Sequence, residues 1–379
     1  MNPTPASMSD PRAPASYSWE ATNEEVAARY DLPVDSIVRF DLNTSPAPPA
    51  VVARLLAAGR FETTLSEYPP SDYRRLTAAA AATYGVPADE ILVGAGADEI
   101  LDLVAKAFLR EGHSAVVASP SYAMYRVLTE QRGAQVVAVP RLGPERGRAL
   151  DLPAVRFAAR SAAVVWLCNP NNPTGRLEPD GLIESLLAGL AEDATAQDRH
   201  APIVVLDEAY SEFAGLTLLA LRARYPRLIV VRTVSKAYAL AGLRVGFAIA
   251  RRETLAVMEP YRPPGSVSTV SVTVATEVLG DPAVLTANLA RVETERAHLA
   301  NGLRDAGWNP EPSVTNFLLV PFGDAYEAGA VAEALLKEGL VPRTFPADHP
   351  LANCLRLTVR DRAEDDRLLT EARAIGGAR

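Results

Sequence analysis

Ile203-Val204-Val205-Leu206-Asp207-Glu208-Ala209-Tyr210 and, further on, Leu228-Ile229-Val230-Val231-Arg232-Thr233-Val234-Ser235-Lys236 decide the fold of this chain. Each is a short apolar, mostly β-branched run that leads into a carboxylate or an amine. Runs with no polar alternation read as strands covered on both faces, the habit of parallel sheets. Working outward from these two, Ile203 to Leu206 and Leu228 to Arg232, similar strand runs stand at Ile91 to Val93, Ala115 to Ala118, Gln135 to Val139, Ala163 to Cys168 and Val245 to Ala250. Helical patterns lie between several of them, as where Ile100, Leu101, Val104 and Phe108 share one face. The alternation predicts an α/β fold: a large domain with a mostly parallel sheet covered by helices.

The flanks are organised differently. Residues 1–16 carry Pro3, Pro5, Pro11 and Pro14 among small polar residues and read as a flexible tail. Thr22-Asn23-Glu24-Glu25 has the capping-box spacing and opens a helix to about Arg29, followed by a strand or extended segment at Ile37 to Leu42. Asp72 is placed to cap a helix through the alanine run to Tyr84, with Gly85 and Pro87 ending it. After Pro260, the breaker cluster Arg262-Pro263-Pro264-Gly265 precedes a helix-rich region with short strands at Phe317 to Val320 and Leu355 to Val359. The reading is a tail (1–16), an arm (17–50) packing on the small domain or a partner, a large domain (51–262) and a smaller α+β domain (263–379).

Composition narrows the chemistry. A formal net charge of -8 from 38 basic and 46 acidic residues, with no long block of like charge, argues against nucleic acid and membrane surfaces as partners and for small-molecule ligands. No apolar stretch is long enough to span a bilayer, and the first residues carry no export signal. Two cysteines, Cys168 and Cys354, build neither a disulfide framework nor a cysteine-rich metal site, which points to a cytoplasmic protein without a metal. Lysine occurs only at Lys106, Lys236 and Lys337, so a nucleophilic amine comes from one of these or from the N-terminus.

Several short motifs fall at or just beyond strand ends, where open α/β sheets place their ligands. Gly94-Ala95-Gly96-Ala97-Asp98-Glu99 is either a phosphate cradle at a helix N-terminus or a tight turn with an aspartate cap. Asn169-Pro170-Asn171-Asn172-Pro173-Thr174-Gly175, Asp207-Glu208-Ala209-Tyr210, Ser235-Lys236 and Leu243-Arg244-Val245-Gly246 follow in order, so one crevice gathers them.

From about Phe40 to Val359 the chain resembles the fold-type I pyridoxal 5'-phosphate (PLP) aminotransferases, and among them the histidinol-phosphate aminotransferase-like group. The resemblance implies Lys236 as the lysine that takes the cofactor's aldehyde and then moves the Cα proton, and Asp207 as the partner of the pyridine nitrogen. It implies Asn172 and Tyr210 as donors to the phenolate oxygen, with Tyr210 also catalytic. Tyr122 would stack on the ring, and Ala209 would close its other face. Around the phosphate it places Gly96, Ala97, Asp98, Thr233, Ser235 and Arg244, with Tyr68 reaching across a homodimer to the neighbouring site. Arg356 matches the clamp for a substrate carboxylate, and Arg343 lies where a distal phosphate is held.

The implied reaction moves an amino group from an amino acid or amino-alcohol phosphate to a 2-oxo acid, with histidinol phosphate and 2-oxoglutarate as the leading pair. An aromatic or specialised amino-acid aminotransferase and a threonine-phosphate-type decarboxylase are the alternatives, ahead of a non-catalytic protein that kept the fold. Two positions depart from the group's pattern. Ala47 replaces a tyrosine linked to substrate phosphate, for which Tyr17 or Trp19 is a substitute, and Arg360-Asp361 replaces a glycine-threonine pair.

Overall fold

A computed structural model describes residues 16–377. Eleven strands are found among them: β1 (Val38–Arg39), β2 (Ile91–Gly94), β3 (Ser114–Ser119), β4 (Gln135–Pro140), β5 (Val164–Cys168), β6 (Ile203–Asp207), β7 (Leu228–Thr233), β8 (Gly246–Ile249), β9 (Phe317–Pro321), β10 (Leu340–Val341) and β11 (Cys354–Thr358). Seven form the main sheet in the order β2-β8-β7-β6-β5-β3-β4. The pairs β7-β6, β6-β5, β5-β3 and β3-β4 are parallel, while β8 runs antiparallel to both β7 and β2.

Successive residues of a strand point to opposite faces, and in every strand of the main sheet but the open edge strand β4 both faces are buried. Val93, Val116, Val165, Val204, Val230 and Phe247 join one apolar cluster, while Leu92, Val117, Trp166, Val205, Ile229 and Ala248 join another on the opposite side. This double burial is the physical reason the strand runs lack polar alternation.

The second unit is built on β9 and β11, an antiparallel pair in which Arg356 faces Leu319, with Leu318, Val320, Leu355 and Leu357 in its core. The arm packs there. β1 pairs in parallel with β10, and Val26, Ala27 and Ile37 cluster with Val341. The capping box forms as read, Thr22 Oγ1 accepting from Glu25 N–H and Glu25 from Thr22 N–H, over a helix Asn23–Tyr30.

Three local readings need correction. The strand at Ile37 to Leu42 shortens to β1, because only Val38 to Phe40 find backbone partners at Gly339 and Val341. The helix after Asp72 is capped at Tyr73 in a left-handed conformation and runs Arg74–Tyr84; the Asp72 carboxylate accepts from Arg74 N–H at 3.2 Å. The breaker cluster at 262–265 is a turn without a change of core. Helix Thr269–Leu279 beyond it packs Val272, Val274, Ala275 and Val278 into the large sheet's cluster, and the changeover falls within helix Pro282–Asp305, whose Leu289 joins the large core and whose Leu299 joins the small one. Apart from Ser16, the tail lies outside the described residues.

Candidate active site

The carboxyl ends of β2, β3, β5, β6 and β7 lie along one edge of the main sheet, and β8, running the other way, starts there. Gly96 opens helix Gly96–Phe108 directly after β2, at φ +83°. A β-carbon at Gly96 would meet the Arg244 guanidinium at 2.5 Å, and one at Gly246 would come within 2.6 Å of Ala97 N. The two glycines therefore let an arginine and the first N–H groups of a helix converge on a small space, a donor set suited to a phosphate. Thr233 Oγ1 lies 2.9 Å from Ser235 Oγ beside it. Asp98 is not the helix cap anticipated for the turn. Its two carboxylate oxygens accept from Tyr122 Oη at 2.9 Å and Arg244 Nη2 at 3.1 Å, while Glu99 takes the Ala95 N–H.

Lys236 follows β7 and is half-buried. Burial chiefly, and the Arg356 charge next, lower its amine to about 8. Its Nζ lies 3.3 Å from the Leu42 carbonyl and 6.0 Å from the centre of the Tyr210 ring. A largely desolvated amine that is partly neutral near neutrality is a competent nucleophile and base. Asp207 ends β6, beside Cys168 of β5 in the ladder. Its Oδ2 accepts from Tyr125 Oη at 2.7 Å and its Oδ1 from Ala209 N–H at 3.0 Å. Burial nevertheless raises the carboxyl to about 6 and pushes the neighbouring Cys168 thiol up to about 12.

The phenol of Tyr210 accepts from Asn43 Nδ2 at 3.0 Å and Asn172 Nδ2 at 3.5 Å. Asn172 Oδ1 in turn accepts from Arg356 Nη1 at 2.7 Å, tying the large domain to β11. Arg356 also donates to the Asp41 carbonyl, and its Nε is buried without a partner. It makes no ion pair among the described residues, and burial lowers its guanidinium. Arg343 is bridged to Arg356 by backbone bonds of 3.1 and 3.0 Å in both directions, which puts both side chains on one face. Its Cζ lies 5.4 Å from the Tyr17 ring, and Nη1 donates to the Ser18 carbonyl at 2.9 Å, with Glu20 at 3.7 Å.

The structure thus brings together Gly96, Ala97, Asp98, Tyr122, Asn172, Asp207, Ala209, Tyr210, Thr233, Ser235, Lys236, Arg244, Arg343 and Arg356. Tyr68 stands apart and is 89% exposed. Glu208 of the same motif turns away to a buried ion pair with Arg232 at 2.7 Å. Of the two substitutes for the missing tyrosine, Tyr17 reaches the crevice, 6.4 Å from Tyr122 between ring centres, whereas Trp19 is 72% exposed; Ala47 faces outward. Sequence reasoning missed Tyr125 and Asn43. Asn43 stood in the segment compared with the group's N-terminal motif, and Tyr125 is three residues beyond the noted Tyr122, in the first turn of the helix Met124–Gln131.

The phosphate-sized cradle, the half-buried amine and the carboxylate at the sheet edge fit pyridoxal phosphate, and enzymes of fold type I that use this cofactor are the class to which such a crevice belongs. Within it, the chain belongs to the aminotransferase class I and II family, whose model matches residues 38–371. It is 33% identical to the histidinol-phosphate aminotransferase of Anaeromyxobacter sp. (strain Fw109-5) over 94% of each chain. Against histidinol-phosphate aminotransferase 1 of Cupriavidus pinatubonensis (strain JMP 134 / LMG 1197) the identity is 34%, covering 92% of this chain and 90% of the relative. The crystal structure of the Sinorhizobium meliloti histidinol-phosphate aminotransferase in complex with pyridoxal-5'-phosphate superposes with a TM-score of 0.83 at 26% identity, over 96% of each chain. The protein is a pyridoxal-phosphate-dependent aminotransferase of fold type I.

Proposed function

We propose that the enzyme transfers the amino group of histidinol phosphate to 2-oxoglutarate. The observation that carries this reading is the pair of guanidiniums on one face of the small domain. Arg356 is buried with an unpartnered Nε and without a counter-anion, and Arg343 sits beside it under Tyr17. A buried cation lacking a carboxylate partner is costly alone and is offset when an anionic ligand arrives. Arg356 without a counter-anion, next to a half-buried Arg343 that has only Glu20 at 3.7 Å, suits a phosphate, or the two carboxylates of the acceptor.

Bound in the crevice, pyridoxal phosphate supplies a ring that withdraws electrons from the substrate Cα. The chain's residues do the rest. Gly96 to Asp98, Ser235 and Arg244 would hold the phosphate, Asp207 would pair with the ring nitrogen, and Tyr122 and Ala209 would enclose the ring. Asn172 and Tyr210 would donate to its oxygen, and Lys236 would hold the cofactor through its amine and carry the proton to and from Cα. Tyr17 and Arg343 together shield the distal end of the substrate from water.

The same reading includes a cytoplasmic homodimer. It is supported by the exposure of Leu65 (68%) and Tyr68 (89%) near each other in one loop, and by two cysteines held as buried free thiols. No single helix among the described residues is long and apolar enough to cross a membrane.

The test is Arg343→Ala with two amino donors, histidinol phosphate and phenylalanine. Losing a hydrogen bond to a charged group costs about 1.5–3 kcal/mol, a roughly 10- to 150-fold fall in kcat/KM for the phosphorylated donor. Phenylalanine should change little. Equal losses for both donors would show that Arg343 does not read the distal group.

A further inference from the structure

Tyr125 is buried and its hydroxyl is aimed with unusual completeness. It lies on helix Met124–Gln131, stacked on Trp166 with ring centres 5.5 Å apart and planes 3° from parallel, and edge-on to Tyr122 at 5.7 Å. Trp166 Nε1 donates to Thr129 Oγ1 at 3.1 Å, and Thr129 Oγ1 donates to the Tyr125 carbonyl at 2.7 Å. Helix, ring and β5 are thereby locked together, and the phenol is left pointing at Asp207 Oδ2, 2.7 Å away. The other titratable groups that act on Asp207 or crowd it are Asp98, Lys236, Cys168 and Tyr210.

We propose that Tyr125 is a positioning residue that keeps the proton of the Asp207–cofactor pair on the cofactor's ring nitrogen rather than on the carboxylate. The inference rests on the reading in which Asp207 faces that nitrogen. Two arrangements of one proton compete there: a protonated ring against an ionised Asp207, or a neutral ring against a protonated Asp207. Burial alone favours the neutral pair, because it penalises both charges. A phenol donating to Oδ2 strengthens when the carboxylate is ionised and weakens when it carries the proton, so it stabilises only the first arrangement. The Ala209 N–H on Oδ1 acts in the same sense. A protonated ring is the better electron sink, so Tyr125 acts on the rate through Asp207 without touching substrate.

The experiment is the Tyr125→Phe holoenzyme loaded with pyridoxal phosphate carrying 15N in the ring. Phenylalanine keeps every ring contact and removes only the hydroxyl, so urea midpoints of variant and wild type check that the fold is retained. In the wild type the nitrogen should resonate at the protonated position at neutral pH. In the variant the proton equilibrium should move about tenfold or more toward the neutral ring, the size expected when a carboxylate loses one charged hydrogen bond. The resonance then shifts toward the unprotonated position, and kcat falls while KM for the amino donor stays within about twofold. An unshifted resonance in a folded variant would overturn the role of Tyr125 and leave Asp207's role standing. An unprotonated ring in the wild type would remove the Asp207 reading itself, and this proposal with it.

Discussion

Replacing Gly96 with alanine separates two functions of one position. The residue sits at φ +83°, and the new methyl would lie 2.5 Å from Arg244 Nη2 and 2.9 Å from its Cζ. Holding an L-residue in a left-handed conformation costs about 1–2 kcal/mol, with or without cofactor. The Arg244 side chain is about half exposed and its end can swing away, but doing so breaks its 3.1 Å bond to Asp98 and withdraws it from the helix mouth. Losing a charged hydrogen bond to the phosphate costs a further ~1.5–3 kcal/mol, and only in the loaded enzyme. Cofactor affinity should therefore fall roughly 10- to 150-fold, while the cofactor-free protein loses about 1–2 kcal/mol of stability. Titrating the cofactor-free variant with pyridoxal phosphate by absorbance gives the first number, and urea unfolding gives the second. Gly59→Ala is the control: its φ is +60° and nothing lies within 4 Å of the added carbon, so it should show the backbone cost alone. Affinity within about twofold of wild type for Gly96→Ala would refute the cradle.

Loading of the cofactor-free protein needs the neutral amine of Lys236, which burial holds at about 8 in place of 10.5, so the loading rate should climb with pH and level off above about 8; a rate still rising steeply past pH 9 would contradict the lowered value. Asp365 is fully buried with one unpartnered oxygen, and burial raises it to about 8 from 3.8. The folded state thus keeps a proton that the unfolded chain releases, and stability falls as pH rises from about 4 to about 8. Asp365→Asn should flatten that part of the urea-midpoint profile, and an unchanged slope would assign it to another group. Leu65→Glu places a charge on the exposed loop beside Tyr68, and sedimentation should show dimer loss together with weaker cofactor binding; a wild-type monomer of full activity would end the shared-site reading.

The strands were legible because their physics is local. β5, β6 and β7 are buried at every residue, and a strand covered on both faces is apolar except where a polar group finds a partner, as Arg232 does in Glu208. The functional side chains at their ends were legible for a related reason: a lysine, a carboxylate or an arginine next to such a run has few structural uses. What stayed hidden depends on which surfaces meet. Helix Thr269–Leu279 has the apolar content of any core helix, and nothing in its sequence says that it joins the large core rather than the small one. Tyr125 looks like a core aromatic and is one; its second role exists only because the helix sets its hydroxyl under the end of β6. Tyr17 lies far from Arg343 in sequence, and only the path of the arm brings its ring there.

The charges of the crevice also account for how one amine can be both neutral when the cofactor arrives and basic when the substrate proton must move. Arg343 bears on Arg356, and Arg356 bears on Lys236, each like charge disfavouring the next. Before substrate binds, no carboxylate among the described residues pairs with Arg356, so its repulsion bears on Lys236 and favours the neutral amine. An anionic group clamped by Arg356 cancels most of that field. Each unit by which the amine's proton affinity then rises is worth about 1.4 kcal/mol of driving force for taking a proton from Cα. The anion that identifies the substrate therefore also readies the base, and a substrate without one loses on both counts. On this argument Arg356→Met should raise the pH at which loading levels off, since the repulsion is gone, while lowering kcat/KM for anionic substrates. A loading profile unmoved by that substitution would show that burial alone sets the amine and that the two arginines act only as clamps.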